Sequence, residues 1–326
     1  MDVLVTGSAG MIGRKLVQQL DRSGLNGEPI AEMTLLDVVA AERSSQGAAQ
    51  HRVVVADLSH AGVAAGVLER RPDVIFHLAG VISGEAELDF DKGYRVNLDG
   101  MRALLEAIRA IGDGYRPKLV YASSVAVYGA PFPPSIPDDF QLTPLTSYGT
   151  QKAIGEALLA DYTRRGFCDG VGIRLPTIVV RPGKPNKAAS GFFSGIMREP
   201  LAGEEALLPV PDSVVHTHAS PRAAVGFLLH AASLPRAALG ARINLAMPGV
   251  CCSVAEQIDA LRRIAGAKVA ARIRRQPDEL VARIVAGWPQ RIEARRAREL
   301  GFQAEGSFEE IIRIHIDEEL GGSFVQ

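Results

Sequence analysis

Cysteine is almost missing from this sequence: Cys168, Cys251 and Cys252 are the only three in 326 residues. An odd number without CxxC spacing encodes neither a disulfide framework nor a zinc site, so no metal is expected. Charge of one sign is missing too. The formal net charge is −1 and no long block of like charges occurs, which removes nucleic acid and anionic membrane surfaces as expected partners. No apolar run approaches the roughly 20 residues that a membrane-spanning helix needs. The opening residues 1–7 read as a strand entering a glycine turn, so no leader peptide is expected there. What remains is small-molecule chemistry, and a reducing cytoplasm is the expected compartment.

Apolar residues are plentiful. At 47% hydrophobic content, a chain of this length can bury roughly three quarters of its unfolded surface, enough for one large domain or two unequal ones. Short β-branched or aliphatic runs at 3–6, 33–38, 52–56, 74–78, 118–123 and 172–175 alternate with helical patterns. That alternation implies right-handed crossovers and a mostly parallel sheet covered on both faces, a doubly wound α/β, Rossmann-type fold. After Arg181 the texture changes, with Pro182, Pro185, Pro200, Pro209 and Pro211 breaking up the periodicity. The expected division is a dinucleotide-binding domain at 1–181 and a smaller substrate-binding domain at 182–326. Residues at about 212–250 are expected to return to the first domain, with a strand at 242–246 rejoining its sheet.

The first chemical signal joins the first strand to the first helix. Gly7, Gly10 and Gly13 permit a tight turn and close backbone approach, leaving the amides of residues such as Met11 and Ile12 free for a pyrophosphate. A glycine triplet alone is weak evidence, but a strand–turn–helix setting is what a dinucleotide site requires. Asp37 closes the second strand 24 residues beyond Gly13, near the usual position of the carboxylate that holds a ribose diol. It would repel a 2′-phosphate, and Val38 and Val39 rather than an arginine follow it, so NAD is favoured over NADP.

The second signal is Ser147-Tyr148-Gly149-Thr150-Gln151-Lys152 at the head of a helix. Four residues apart, Tyr148 and Lys152 share one helical face. A free phenol ionises at about pH 10, so an acid–base tyrosine working near neutrality needs positive charge beside it. The strand at 119–124 brings further hydroxyls, Ser124 among them, to its C-terminal edge, where ligands bind in open α/β sheets.

The segments TGSAGMIG, FHLAG at 76–80, RVNLDG at 95–100, SSVAVYG at 123–129 and SYGTQK together resemble the extended short-chain dehydrogenase/reductase superfamily, the NAD-dependent epimerases and dehydratases. Within it, SYGTQKAIGE, IRLPTIVVRPGKPN and FFSGIMREPLAGEEA are most similar to members that oxidise a four-carbon sugar acid at C2 with NAD. The resemblance implies Ser124 as the substrate-polarising serine, Tyr148 as acid–base and Lys152 as the ribose-binding lysine. It also implies Asp57 and Leu58 at the adenine, Leu78, Ala79 and Gly80 beneath the cofactor, Asn97 in support, and Leu175 and Thr177 near the nicotinamide amide. It further implies a homodimer formed through about 148–164 and 91–111.

One departure bears on the substrate. Nucleotide-sugar members carry an arginine in an R-D-F-[IV]-H-V pattern; the matching stretch here runs Asp212-Ser213-Val214-Val215-His216-Thr217. An aspartate there would repel a diphosphate, which disfavours a nucleotide sugar and leaves a small sugar acid. Its carboxylate needs a cation, and Arg181 is preferred to Lys184 because a guanidinium offers two parallel hydrogen bonds. Ser83 is a candidate donor to a substrate hydroxyl. His216 and His218 share one strand face, but without a third ligand they read as packing or hydrogen-bonding residues. Two other functions compete: a nucleotide-sugar epimerase or dehydratase of the same superfamily, and a noncatalytic dinucleotide sensor. The sensor reading is weakened because both Tyr148 and Lys152 are present.

Overall fold

The computed structural model describes residues 1–43, 47–183 and 189–326; Lys184 lies outside the described residues. Among these, the strands are β1 (Asp2–Thr6), β2 (Glu32–Asp37), β3 (Gln50–Val55), β4 (Val74–His77), β5 (Lys118–Ser124), β6 (Asp169–Leu175), β7 (Thr177–Ile178), β8 (Ala206–Leu208), β9 (Val215–Ala219), β10 (Asn244–Ala246), β11 (Val250–Ser253) and β12 (Ile273–Arg275). The chain divides into two compact units.

The first unit comprises Met1–Val127, Thr146–Leu175 and Val225–Leu245. Its seven-stranded sheet runs β10-β6-β5-β4-β1-β2-β3, and each registered pair from β3 across to β6 is parallel. The order reverses at β1 and β4, the switch point where a doubly wound sheet opens a crevice at its strand C-termini. Buried Val3, Leu4, Val5, Leu35, Ile75, Phe76 and Leu119 form near-continuous apolar runs, as strands covered on both faces require. As expected, the strand at 244–246 joins this sheet, beside β6.

The helix that carries Tyr148 and Lys152 spans Ser147–Arg164 and is capped by Thr146, whose side chain accepts from the Gly149 amide. Glu87, on the helix Ser83–Leu88, accepts from the Ser147 amide at 3.0 Å. Two free N–H groups at the helix start are thereby satisfied. Deeper in the helix, Glu156 accepts from Ser123 at 2.5 Å and from Arg174 Nη2 at 2.7 Å. All three residues are buried. Removing either charge would strand the other in the core, so this network fixes the helix against β5 and β6.

The second unit comprises Tyr128–Leu145, Pro176–Ala224 and Ala246–Gln326. It holds a three-stranded sheet, β11-β9-β7, and a two-stranded one, β12-β8. The helix Gly191–Leu201 lies in the stretch where the sequence reading finds few periodic runs. Its signal is present nevertheless: Phe193, Ile196, Met197, Pro200 and Leu201 are buried at helical spacing, and Pro200 stands in the last turn. No helix among the described residues is long and apolar enough to cross a membrane.

Candidate active site

The glycine turn has the geometry of a dinucleotide cradle. Gly7 adopts φ +75°, and a Cβ there would lie 2.6 Å from the Ala79 nitrogen; a Cβ on Gly13 would lie 2.2 Å from the Gly7 carbonyl oxygen. Only glycine lets these backbones approach so closely. The helix Met11–Ser23 begins with no side-chain cap and no acidic residue in its first turn. Its N-terminal amides and dipole thus face no competing anion of its own first turn, which fits a pyrophosphate.

Asp37 ends β2 with its carboxylate aligned by backbone: Oδ2 accepts from the Ala9 amide at 2.9 Å and Oδ1 from the Val38 amide at 2.7 Å. Each oxygen keeps lone-pair capacity for a ribose diol. Asp37→Ala is expected to weaken NAD by about tenfold, the value of a charge-assisted hydrogen bond, and to relax discrimination against NADP. Titrating both cofactors by calorimetry checks this; an unchanged preference removes Asp37 from the site.

Around this turn the remaining cofactor candidates take places of their own. Asp57 is tied to its own turn, accepting from the Ser59 amide and hydroxyl at 2.9 and 2.7 Å and from Arg95 at 2.8 Å. Burial pushes its pKa up, but the Ser59 bonds and Arg95 outweigh this and hold it below the usual value. Leu58 beside it is buried. The loop at 78–81 is fastened from two sides. Leu78 and Ala79 donate to the Thr6 carbonyl and hydroxyl, and the Val81 amide donates to Asn97 Oδ1 at 2.8 Å. Asn97 Nδ2 in turn donates to buried Gln151 Oε1 at 2.7 Å, linking the loop to the Tyr148 helix. Asn97 sits in a π-helical turn, Tyr94–Asp99, an irregularity frequent at functional sites.

Lys152 is 4% exposed, and its ammonium donates to the Ala122 carbonyl at 2.8 Å. It lies 5.7 Å from the Tyr148 ring centroid and 4.8 Å from that of Tyr121. Burial pulls its pKa down to about 8, against a raising influence from Glu156. A protonated amine near neutral pH beside a half-buried phenol is the arrangement an acid–base tyrosine needs. Ser124 ends β5, two residues beyond the carbonyl that holds Lys152; its hydroxyl accepts from the Ala126 amide at 3.1 Å, and it stands in register with Leu175 of β6. Ser83 opens the helix Ser83–Leu88.

Thr177 and Arg181 belong to the second unit. The Thr177 hydroxyl bonds His216 Nε2 at 2.7 Å, and His218 Nε2 meets Gln257 at 2.9 Å. Burial lowers His216 to about 4 and His218 well below its usual value, so both rings are neutral. Among the described residues no His, Cys, Asp and Glu group is arranged to hold a metal. Arg181 is more engaged than the sequence suggests: Nε donates to the Ile178 carbonyl and Nη2 to Ser190, both at 2.9 Å. One edge of its guanidinium is thus committed within its own unit.

Asp212 is not the bare anion that its place in the sequence suggests. The aspartate is paired with Arg275, whose Nε donates to Oδ1 at 2.9 Å and Nη2 to Oδ2 at 2.5 Å. Its charge is offset by a neighbour 63 residues away, so repulsion by Asp212 does not exclude an anionic ligand. Sequence reading also misses Tyr121, Glu156, Gln151 and Glu87. Tyr121 and Ser123 carry one available signal, the two-residue spacing that turns both toward the same helix.

The NAD dependent epimerase/dehydratase family matches residues 3–217. The chain is 48% identical over 323 residues to a D-erythronate dehydrogenase of Cupriavidus necator, covering 98% of each protein. It is 37% identical to a D-erythronate dehydrogenase of Haemophilus influenzae, over 97% of this chain and 99% of the relative. Among solved structures, a nucleoside-diphosphate-sugar epimerase from Agrobacterium tumefaciens superposes with TM-score 0.96 at 59% identity, covering 99% of this chain and 95% of that one.

Proposed function

Because this chain belongs to the NAD dependent epimerase/dehydratase family and its cofactor is NAD, we propose that it oxidises the C2 hydroxyl of a small sugar acid of the D-erythronate type. Tyr148, as phenolate, takes the proton of the C2 hydroxyl while Ser124 hydrogen-bonds the same oxygen. When bound, NAD supplies the redox chemistry by accepting the hydride from C2. Lys152 holds positive charge beside the phenol and reaches the cofactor ribose. Gly7, Gly10, Met11, Ile12 and Gly13 carry the pyrophosphate, and Asp37 the ribose. Asp57 and Leu58 take the adenine; Leu78, Ala79, Gly80 and Asn97 lie beneath the cofactor; Leu175 and Thr177 serve the nicotinamide end. The observation that carries the mechanism is the buried Lys152 ammonium, 5.7 Å from the Tyr148 ring and anchored on the Ala122 carbonyl. Full-length similarity to two D-erythronate dehydrogenases supports the substrate class.

The experiment offers four- to six-carbon sugar acids and NAD to the protein and follows NADH. Steady accumulation with a free aldonate is the expected result. A nucleotide-sugar epimerase is the second reading, favoured by the Agrobacterium tumefaciens structure at 59% identity and by the neutralised Asp212. Turnover of a nucleotide sugar, with no NADH from any aldonate, would establish it in place of the first.

Arg181 is the proposed carboxylate ligand, with Ser83 as a donor to a substrate hydroxyl. Arg181→Met should cost at least about 2 kcal/mol, roughly thirtyfold in kcat/KM, on D-erythronate, with NAD affinity nearly unchanged. Arg181→Lys, which keeps the charge but not the planar pair of donors, should fall between. Melting temperatures separate this loss from that of the Ile178 and Ser190 contacts. If both variants match the unmodified protein, Arg181 is structural and Lys184 becomes the candidate.

The proposed division of labour puts the cofactor mainly on the first unit and the substrate mainly on the second; these units part at Leu175 rather than at Arg181, Tyr128–Leu145 goes with the second, and the returning stretch is Val225–Leu245 rather than about 212–250. The NAD requirement with three free cysteines supports a cytoplasmic enzyme. The helix Ser147–Arg164 buries Gly149, Lys152, Gly155, Glu156 and Leu159 yet leaves Ala153, Ile154, Ala157 and Leu158 partly or fully exposed. Ala103, Ala107 and Ala110 are likewise uncovered on the helix Gly100–Ile111. A homodimer that covers both helices is expected, and a monomeric mass by light scattering at micromolar concentration would rule it out.

A further inference from the structure

We infer that Tyr121 is a positioning residue of this site: its ring is the face on which the Lys152 ammonium is held charged and aimed toward Tyr148 and the cofactor. The inference rests on the proposed role of Lys152.

Three features on three elements converge here. The Lys152 ammonium lies 4.8 Å from the Tyr121 ring centroid, nearer than to the Tyr148 ring at 5.7 Å. The negative face of an aromatic ring attracts a cation at that distance, most strongly where water is excluded, and Tyr121 is fully buried. Next, the helix is shaped to admit this ring. A Cβ on Gly155 would lie 2.5 Å from the Tyr121 hydroxyl oxygen and 2.9 Å from Cζ, so a glycine inside a helix, ordinarily destabilising, makes room for the ring one turn beyond Lys152. Finally, the ring is braced from β4, where His77 stacks on it at 5.7 Å and 17°.

The other groups facing the ammonium cannot replace the ring. Among the described residues these include Tyr148 and Glu156 of its own helix, the Ala122 carbonyl of β5, His77 of β4 and, beside Gly80, Asn97, whose Oδ1 already accepts from the Val81 amide. Glu156 is already shared by Arg174 and Ser123. His77 is neutral, lowered to about 3 by burial and by Lys152 itself. Burial holds the Tyr121 phenol well above its usual value, so the ring offers its quadrupole and not a competing anion. Among the described residues the Tyr121 hydroxyl has no hydrogen-bond partner; it is the ring, 4.8 Å from the ammonium at its centroid, that meets Lys152.

The test varies ring charge at constant shape. Tyr121→Phe should keep both NAD affinity and turnover within about twofold, since the ring remains. Phenylalanines bearing one, two and three fluorines at position 121 should then weaken NAD binding stepwise. Calorimetry at pH 8, about the value to which burial lowers Lys152, should show a loss of about tenfold for the trifluoro ring. The pH at which affinity begins to fall should move downward, because a less stabilised ammonium loses its proton sooner. Tyr121→Leu should resemble the trifluoro ring if it folds, and the fluorinated series decides the matter if it does not. In a Lys152→Met background the same series should be flat. A flat series with Lys152 intact, or an equal slope without it, overturns the inference. Because the readout is NAD affinity, failure of every sugar acid as substrate would refute the proposed reaction and leave this result legible.

Discussion

Tyr148→Phe should abolish turnover, a fall of at least about a thousandfold in kcat, within the range that general acid–base catalysis contributes. NAD affinity should stay within a few fold. The substitution removes one hydroxyl: the ring remains 5.7 Å from the Lys152 ammonium, and the amine keeps its anchor on the Ala122 carbonyl. Cofactor binding and helix geometry therefore survive while the group that moves the proton is gone. NADH formation under saturating substrate and NAD, with calorimetry for affinity, gives both halves of the result. More than a tenth of the original rate in the variant would mean that another base, or water, takes the C2 proton, and the acid–base assignment would be withdrawn.

Gly13→Ala should weaken NAD by at least about a hundredfold, the order of loss associated with displacing a binding group by about 1 Å. A methyl group at position 13 would meet the Gly7 carbonyl oxygen at 2.2 Å and Ser8 Cα at 2.8 Å. Both obstacles are backbone, so no side-chain rotation relieves the contact. The start of the helix Met11–Ser23 must swing away from the turn and carry the Met11 and Ile12 amides with it. Gly10→Ala is the control, since its Cβ would meet only the Gly7 oxygen at 3.3 Å and calls for a shift of tenths of an ångström. Equal NAD affinity in the Gly13 and Gly10 variants would show that the close approach is not what binds the cofactor.

Much of this protein is legible in its sequence. The apolar runs that became β1 to β6, the glycine turn leading into a helix, Asp37 at the end of β2, and the Tyr148–Lys152 pair one helical turn apart are all local patterns. Their periods of two and 3.6 residues, and the backbone freedom of glycine, are properties of a few neighbouring residues. The parallel sheet also follows, because strands linked through helices return in the same direction by right-handed crossovers, whereas the order of its strands comes from the structure. Which charges neutralise which was not readable, because a Coulomb interaction depends on distance in space and on local water. Asp212 reads as a bare anion until Arg275 folds onto it. Arg181 reads as an available cation until Ser190 and the Ile178 carbonyl engage one edge of it. Tyr121, in a strand indistinguishable from its neighbours, becomes part of the site only because Gly155 and Lys152, on a helix that follows in the chain, close over its ring. Sequence alone determined the fold class and the cofactor, and it supplied the residues proposed to perform the chemistry. The tertiary structure decided their protonation, their partners and which of them are committed to holding others in place.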